Sequence, residues 1–337
     1  MSLPPCRIVP HPAAAAGPTE MPHVLVVGRV VEAGLAVLRA APGVTFEMIE
    51  EPDPEAVRVR LPEANGLLVR TMPMPPDLLD AAPGLQVVSR HGVGYDNLDV
   101  GYLTGRRIPL AIAATANAIS VAEHAFWMML ELAKRGREHD QTLRAGDWGW
   151  RHGNHAIELN GKRLLLVGGG RIGRELAQRA LAFAMDVTVF DPFAPALPGC
   201  SKADELEPAV AEADVVSLHV PRTAATVNLF DARMLARMKP GAILVNTARG
   251  GIVDEQALVQ ALKEGRLRGA GLDVFDREPP AEDHPLFGLP DALVTAHVAG
   301  VTQEAMVRMA VESAANVVAG LEGRLDPAVV VNREVLA

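Results

Sequence analysis

Residues Leu164–Gly173 read LLLVGGGRIG: four apolar residues, three glycines in a row, then Arg-Ile-Gly. An unbroken apolar run closed by glycine suits a buried strand, and the stretch that follows, Arg171–Ala182 (RIGRELAQRALA), has the apolar spacing of an amphipathic helix. Gly168, Gly170 and Gly173 therefore form G-x-G-x-x-G at a strand-to-helix junction, the context that gives the pattern meaning. There the first glycine permits a tight turn, the second lets the backbone approach a pyrophosphate, and the third lets helix and strand pack closely. The helix N-terminus, with Arg171 and Ile172 in its first turn, favours the anion. Asp191 closes the next apolar run, Val187–Phe190, at the expected spacing of roughly 20 residues. A carboxylate placed there accepts hydrogen bonds from an adenosine ribose and repels a 2′-phosphate, so NAD is expected over NADP. The plainer alternative is a glycine-rich turn followed by a helix-capping Asp, and it leaves the coincidence of strand, glycines and acid unexplained.

Downstream, the alternation continues as strands Val215–His219, Ile243–Asn246, Gly271–Val274 and Leu293–Thr295, with a helix from Asp254 to Lys263. This is the order of a doubly wound nucleotide-binding domain. Upstream, His23–Gly28 (HVLVVG), Glu32–Ala40, Gly66–Val69, Pro76–Ala81 and Leu85–Ser89 alternate in the same way, which implies a second parallel sheet covered by helices. Ser120-Val121-Ala122-Glu123 has the pattern of a capping box ahead of a long, mostly buried helix through Leu132, suited to link the domains. Thr302 is the expected N-cap of a last helix, Glu304–Ala319, returning the chain to the first domain. The expected fold is thus α/β with two Rossmann-like, doubly wound parallel-sheet domains. The substrate domain is discontinuous and flavodoxin-like (21–118 and 306–337), and the NAD-binding domain is 119–305. Residues 1–20, rich in Pro and Ala, are expected to be a disordered extension.

Composition narrows the partners. A chain of 337 residues has room for two cores, and 49% hydrophobic residues with only 4% aromatics suits layered α/β packing. The net charge of −9 offers no broad basic footprint, so neither nucleic acid nor an anionic membrane surface is an expected partner. Two cysteines, Cys6 and Cys200, build no disulfide framework and fit a cytoplasmic setting. His152 and His155 lack further ligands at metal spacing, so no metal is expected.

Taken together, His91–Asp99 (HGVGYDNLD), Ser120–His124 (SVAEH), Val167–Gly173 (VGGGRIG), Asn246–Gly250 (NTARG), Gly271–Pro279 (GLDVFDREP) and Thr295–Gly300 (TAHVAG) make a specific series. In that order they resemble the D-isomer-specific 2-hydroxyacid dehydrogenases, which include phosphoglycerate, glyoxylate/hydroxypyruvate and D-lactate dehydrogenases. The resemblance implies that Arg249 binds the substrate carboxylate, that His297 is the acid/base and that Glu278 orients it. It also implies that His219, Val220, Pro221, Thr226, Thr247, Ala248, Asp273 and Gly300 face the cofactor. Val93 and Gly94 would cradle the carboxylate with backbone amides, while Arg70 and Thr71 would lie at the distal end of the substrate. Family relatives are commonly homodimers, which pairs with the apolar segment around Trp127. Ala296 departs from the proline commonly found before the histidine in this family, which bears on loop rigidity and leaves the chemical groups intact.

These residue types suit the chemistry. Oxidising a secondary alcohol removes a hydroxyl proton as hydride leaves the same carbon, and imidazole accepts a proton near neutral pH. A carboxylate on the other ring nitrogen fixes the tautomer and favours imidazolium. A guanidinium holds a carboxylate with a planar, permanently charged fork. Taken singly, Arg249 would pass for a surface ion pair, Glu278 for a solvated loop acid and His297 for a core histidine; their joint order decides. The expected substrates are small 2-hydroxy or 2-keto acids, with 3-phosphoglycerate and glyoxylate/hydroxypyruvate foremost. Two competitors stay open: phosphite dehydrogenase, which shares the Arg-Glu-His set, and an NAD-sensing corepressor-like binding protein.

Overall fold

A computed structural model describes residues 21–153 and 155–336, so the extension expected over residues 1–20 lies outside the described residues. The chain groups into two compact units, one running to Asn117 and resuming at Val301, the other Ala118–Gly300.

In the first unit, parallel strands β1 (His23–Val27), β2 (Thr45–Ile49), β3 (Gly66–Val69), β4 (Val87–Arg90) and β5 (Leu110–Ile112) lie in the order β2-β1-β3-β4-β5. This is the flavodoxin-like arrangement. Alternate side chains of β1 enter opposite cores: Val24 and Val26 join Leu68, Ala310 and Val317, whereas Leu25 and Val27 join Leu67, Val69 and Val88. Burial on both faces is why the strand reads as a continuous apolar run. Strands β2 and β5 escape sequence reading, the first because Thr45 and Glu47 interrupt it and the second because it is three residues long. The helix Gln303–Leu321 starts at Thr302, whose hydroxyl accepts from Ala305 N at 3.1 Å. Ala305 and Met309 already pack with Ala113 and Ala116, so the chain rejoins this unit at Val301 and not at residue 306.

The second unit holds β6 (Arg163–Val167), β7 (Asp186–Phe190), β8 (Ser201–Lys202), β9 (Val215–Leu218), β10 (Ala242–Asn246), β11 (Leu267–Leu272) and β12 (Ala292–Val294), all parallel. Their order is β12-β11-β10-β9-β6-β7-β8. The winding reverses between β6 and β9, and ligands of such sheets bind in the crevice at the carboxyl ends of the strands flanking that point. Leu164 and Leu166 pack toward Ala125, Met128 and Met129 of helix Ala118–Lys134, while Leu165 and Val167 pack toward Phe230 and Leu244.

Three expectations are corrected here. The helix Ala118–Lys134 already includes Ser120, which is buried within its first turn and is not its N-cap. Trp127, expected on a buried face, is 42% exposed. Strand β11 begins at Leu267 and ends at Leu272, earlier than Gly271–Val274. Gly269 and Gly271 disguise it in the sequence, yet a Cβ at Gly271 would come within 2.9 Å of Met128 Sδ, so the strand needs bare backbone there. Among the described residues no helix is long and apolar enough to cross a membrane.

Candidate active site

The glycine turn leaves β6 at the switch point. Gly168 has φ +109°, and a Cβ on it would lie 2.5 Å from the His219 carbonyl oxygen beyond β9. A Cβ on Gly173 would lie 2.2 Å from Gly168 O, whereas one on Gly170, which is exposed, would meet nothing within 4 Å. The fold therefore needs Gly168 and Gly173, and the bare face of Gly170 is left open for a ligand. Asp191 Oδ2 accepts from Gly169 N (2.8 Å), and Oδ1 accepts from Phe193 N (2.8 Å) and Ala194 N (3.0 Å). Burial works to raise this carboxyl, but the three backbone donors and Lys202 outweigh it and hold the group below the usual carboxylate range.

Beyond β9 and β10 two polar atoms are buried without a partner, His219 Nδ1 and Thr247 Oγ1. Burial lowers His219 to about 4, so its ring is neutral, with Nε2 2.8 Å from Ser217 Oγ. Orphaned buried polar groups call for a reason, and with the bare Gly170 backbone they fit a polar ligand such as a dinucleotide. The Thr226 hydroxyl is used locally, donating to Pro221 O at 2.6 Å and accepting from Thr223 N at 2.7 Å. It braces the loop that also carries Val220. Ala248 is buried, and Gly300 closes the unit.

The loops after β10, β11 and β12 bring the acid/base candidates together. Asn246 pins the first loop: its Oδ1 accepts from Ala248 N (3.0 Å) and its Nδ2 donates to Arg249 O (2.9 Å). A Cβ on Gly250 would sit 1.8 Å from Phe275 O, and Gly251 N donates to Asp276 Oδ1 at 2.6 Å, so this loop lies directly on the next. Glu278 Oε1 accepts from Phe275 N (3.1 Å), and Oε2 lies 2.7 Å from His297 Nδ1. Burial works to raise Glu278, but hydrogen bonds from His297 and Phe275 N and the charges of His297 and Arg249 hold it low. His297 moves the other way: the hydrogen bond to Glu278 raises it, with the charges of Glu278 and Asp273, against burial and Arg249. The pair stays half exposed, so its proton can exchange.

Asp273, which the resemblance sets against the cofactor, also holds the loop after β12. It is 1% exposed, and its carboxylate accepts from the Thr295 hydroxyl (2.6 Å), Val298 N (2.8 Å) and Ala299 N (2.8 Å). Its charge is turned into the loop that carries His297. Behind Thr295 stands His124, with Nε2 at 3.0 Å from the hydroxyl; it belongs to the SVAEH motif, for which the sequence suggested no role.

In the first unit, Arg70 donates to Arg29 O at 3.2 Å, Thr71 is exposed, and Val93 and Gly94 are half-buried in the loop after β4. Asn97, to which sequence reading gave no role, joins this loop to the one after β3, donating to Met72 O (2.9 Å) and accepting from Met74 N at its carbonyl (2.9 Å). Among the described residues no three His, Cys, Asp or Glu gather as metal ligands; Trp150 stacks on His155 at 3.9 Å.

Residues 126–299 match the family described as D-isomer specific 2-hydroxyacid dehydrogenase, NAD binding domain. The chain belongs to this family. The 2-hydroxyacid dehydrogenase segment so matched contains the glycine turn, Asp191, Arg249, Glu278 and His297, which makes the second unit its NAD-binding domain. A relative named D-3-phosphoglycerate dehydrogenase from Mycobacterium leprae is 38% identical over 312 residues, covering 91% of this chain but 58% of its own length. The chain thus spans about half the length of the phosphoglycerate dehydrogenases it matches, from 48% to 58%. A glyoxylate reductase from Thermofilum pendens is 35% identical over 326 residues, covering 94% of this chain and 96% of that protein. Among solved structures, D-lactate dehydrogenase from Aquifex aeolicus, complexed with NAD and lactic acid, superposes with a TM-score of 0.82 at 28% identity, covering 92% of this chain and 99% of that one.

Proposed function

We propose that this 2-hydroxyacid dehydrogenase family member interconverts a small D-2-hydroxy acid and its 2-keto acid with NAD(H). The observation that carries the reading is the 2.7 Å contact between His297 Nδ1 and Glu278 Oε2, with the Arg249 charge acting on both groups. When bound, the cofactor accepts or supplies the hydride at the substrate's C2. Gly168, Gly170, Gly173, Arg171, Ile172 and Asp191 would hold it, with His219, Val220, Pro221, Thr226, Thr247, Ala248 and Gly300.

The rest of the chemistry is proton transfer and positioning. Because Nδ1–H is committed to Glu278, Nε2 is the nitrogen that takes the substrate hydroxyl proton during oxidation and returns it to the keto oxygen during reduction. Arg249 holds the carboxylate and thereby sets which face of C2 meets the hydride. From the first unit, Arg70, Thr71 and the amides of Val93 and Gly94 are assigned to the substrate on the family resemblance alone.

The relatives' names favour 3-phosphoglycerate or glyoxylate/hydroxypyruvate as the acid. A cytoplasmic homodimer is the assembly we infer. Supporting the dimer is an apolar groove of about 380 Å³ along helices Ala118–Lys134 and Arg171–Ala182, lined by Phe126, Trp127, Leu130 and Phe183.

Absorbance assays with a panel of 2-keto acids test the reading. At least one of them should be reduced to the D-hydroxy acid with NADH, and more efficiently than with NADPH. Cofactor binding with no turnover on any keto acid, or turnover on phosphite alone, would overturn it.

A further inference from the structure

The loop Thr295–Ala299 presents His297 from an unusual backbone. At φ +53° His297 occupies the left-handed region, which residues with side chains seldom adopt. Such a conformation persists only where its surroundings over-determine it.

One residue supplies most of that restraint. The Asp273 carbonyl accepts from His297 N at 2.7 Å, and its carboxylate accepts from the Thr295 hydroxyl and from the amides of Val298 and Ala299. Thr295, His297, Val298 and Ala299 are thus all tied to Asp273, which is 1% exposed. The Thr295 hydroxyl has a single proton, and at 2.6 Å from Oδ1 that proton goes to the carboxylate. The 3.0 Å contact between Thr295 Oγ1 and His124 must then run the other way, with His124 Nε2–H donating. His124 itself is seated on helix Ala118–Lys134, edge-on to Trp127 at 5.0 Å between ring centroids. Burial lowers its pKa against the pull of Asp273, and both its Nε2–H tautomer and its protonated form keep the donor.

We propose that His124 and Thr295 are positioning residues for His297. The chain from His124 Nε2–H to Thr295 Oγ–H to Asp273 Oδ1 orients the buried carboxylate, and the carboxylate holds the His297 loop in the one conformation that sets the imidazole on Glu278. The inference rests on the reading of His297 as the acid/base. Neither residue touches substrate in this account; both act through Asp273.

The test compares kcat for keto-acid reduction, per NADH-binding site, in Thr295→Val, Thr295→Ser, His124→Leu and His124→Gln. Loss of the hydroxyl or of the ring donor loosens the placement of the acid, so Thr295→Val and His124→Leu should each lower kcat by about tenfold or more, with the Kd for NADH unchanged. Thr295→Ser and His124→Gln, which keep a hydroxyl and an N–H donor, should regain most of that loss. Adding Ala296→Pro to Thr295→Val should also recover part of it, because proline narrows the freedom of the released loop. Thr295 suits a following proline, since its amide still pairs with Leu272 O in extended fashion at 2.9 Å. If Thr295→Val does not fold, the His124 pair carries the same comparison. Turnover within threefold of wild type in Thr295→Val and His124→Leu, while His297→Ala is inactive, would overturn the positioning role and leave the reaction standing. So would a kcat loss that Ser and Gln fail to restore. An active His297→Ala would instead overturn the reading on which the inference rests.

Discussion

His297 and Glu278 set each other's proton affinity, and the direction of each shift decides the pH behaviour. The Glu278 hydrogen bond raises His297, so the imidazolium needed to reduce a keto acid survives to higher pH than that of an ordinary histidine. Reduction should therefore fall as pH rises through the raised value, and oxidation, which needs the neutral ring, should climb through the same value. Glu278→Gln removes the charge and the strong acceptor, so both limbs should move to lower pH, and kcat for reduction at neutral pH should drop by roughly 10²-fold. Full pH–rate profiles of both directions check this; limbs that stay in place would show that Glu278 does not tune the ring. The Glu278–His297 contact, with the Arg249 charge acting on it, could be anticipated from the sequence because each residue stands within a distinctive local motif. Asp273 and His124 were harder to read. Their roles depend on hydrogen bonds spanning 22 and 171 residues of chain, and no local pattern encodes such pairings.

Among the elements, the β6 turn and its helix were the most legible. Helix Arg171–Ala182 begins and ends where its apolar spacing places it, because Gly168 ends the strand, Gly170 stands at the helix N-cap and the amphipathic period does the rest. Strand β11 was misplaced for the opposite reason, since Gly269 and Gly271 imitate a turn while answering to close packing by Leu132 and Met128. The glycines of the turn also separate fold from function. Gly173→Ala drives a Cβ into Gly168 O, so both thermal stability and cofactor binding should suffer. Gly170→Ala meets no protein atom and keeps an extended backbone, so its melting temperature should match wild type while NADH affinity falls by about tenfold or more. Calorimetry together with fluorescence titration separates the two; unaltered NADH binding in Gly170→Ala would remove the pyrophosphate from this turn.

At the scale of the molecule, two parallel sheets were anticipated because strands buried on both faces stand out as apolar runs separated by helical periods, whereas their strand orders come from the structure. The second crossing of the chain was misjudged by a few residues, since the packing of Ala305 on Ala113 and Ala116 is a tertiary fact that the smooth apolar period of the last helix conceals. Family membership gives the reaction class its weight, and the strand-end loops of the second unit give the proposed chemistry a geometry: His297 on Glu278, with the Arg249 charge acting on both. The most direct measurement is NADH-dependent reduction of the best 2-keto acid by His297→Ala and Arg249→Ala, with NADH affinity measured in parallel. Both variants should bind NADH as wild type does and lose roughly 10²-fold or more of kcat/KM; near-wild-type turnover in either one, with binding intact, would contradict the account.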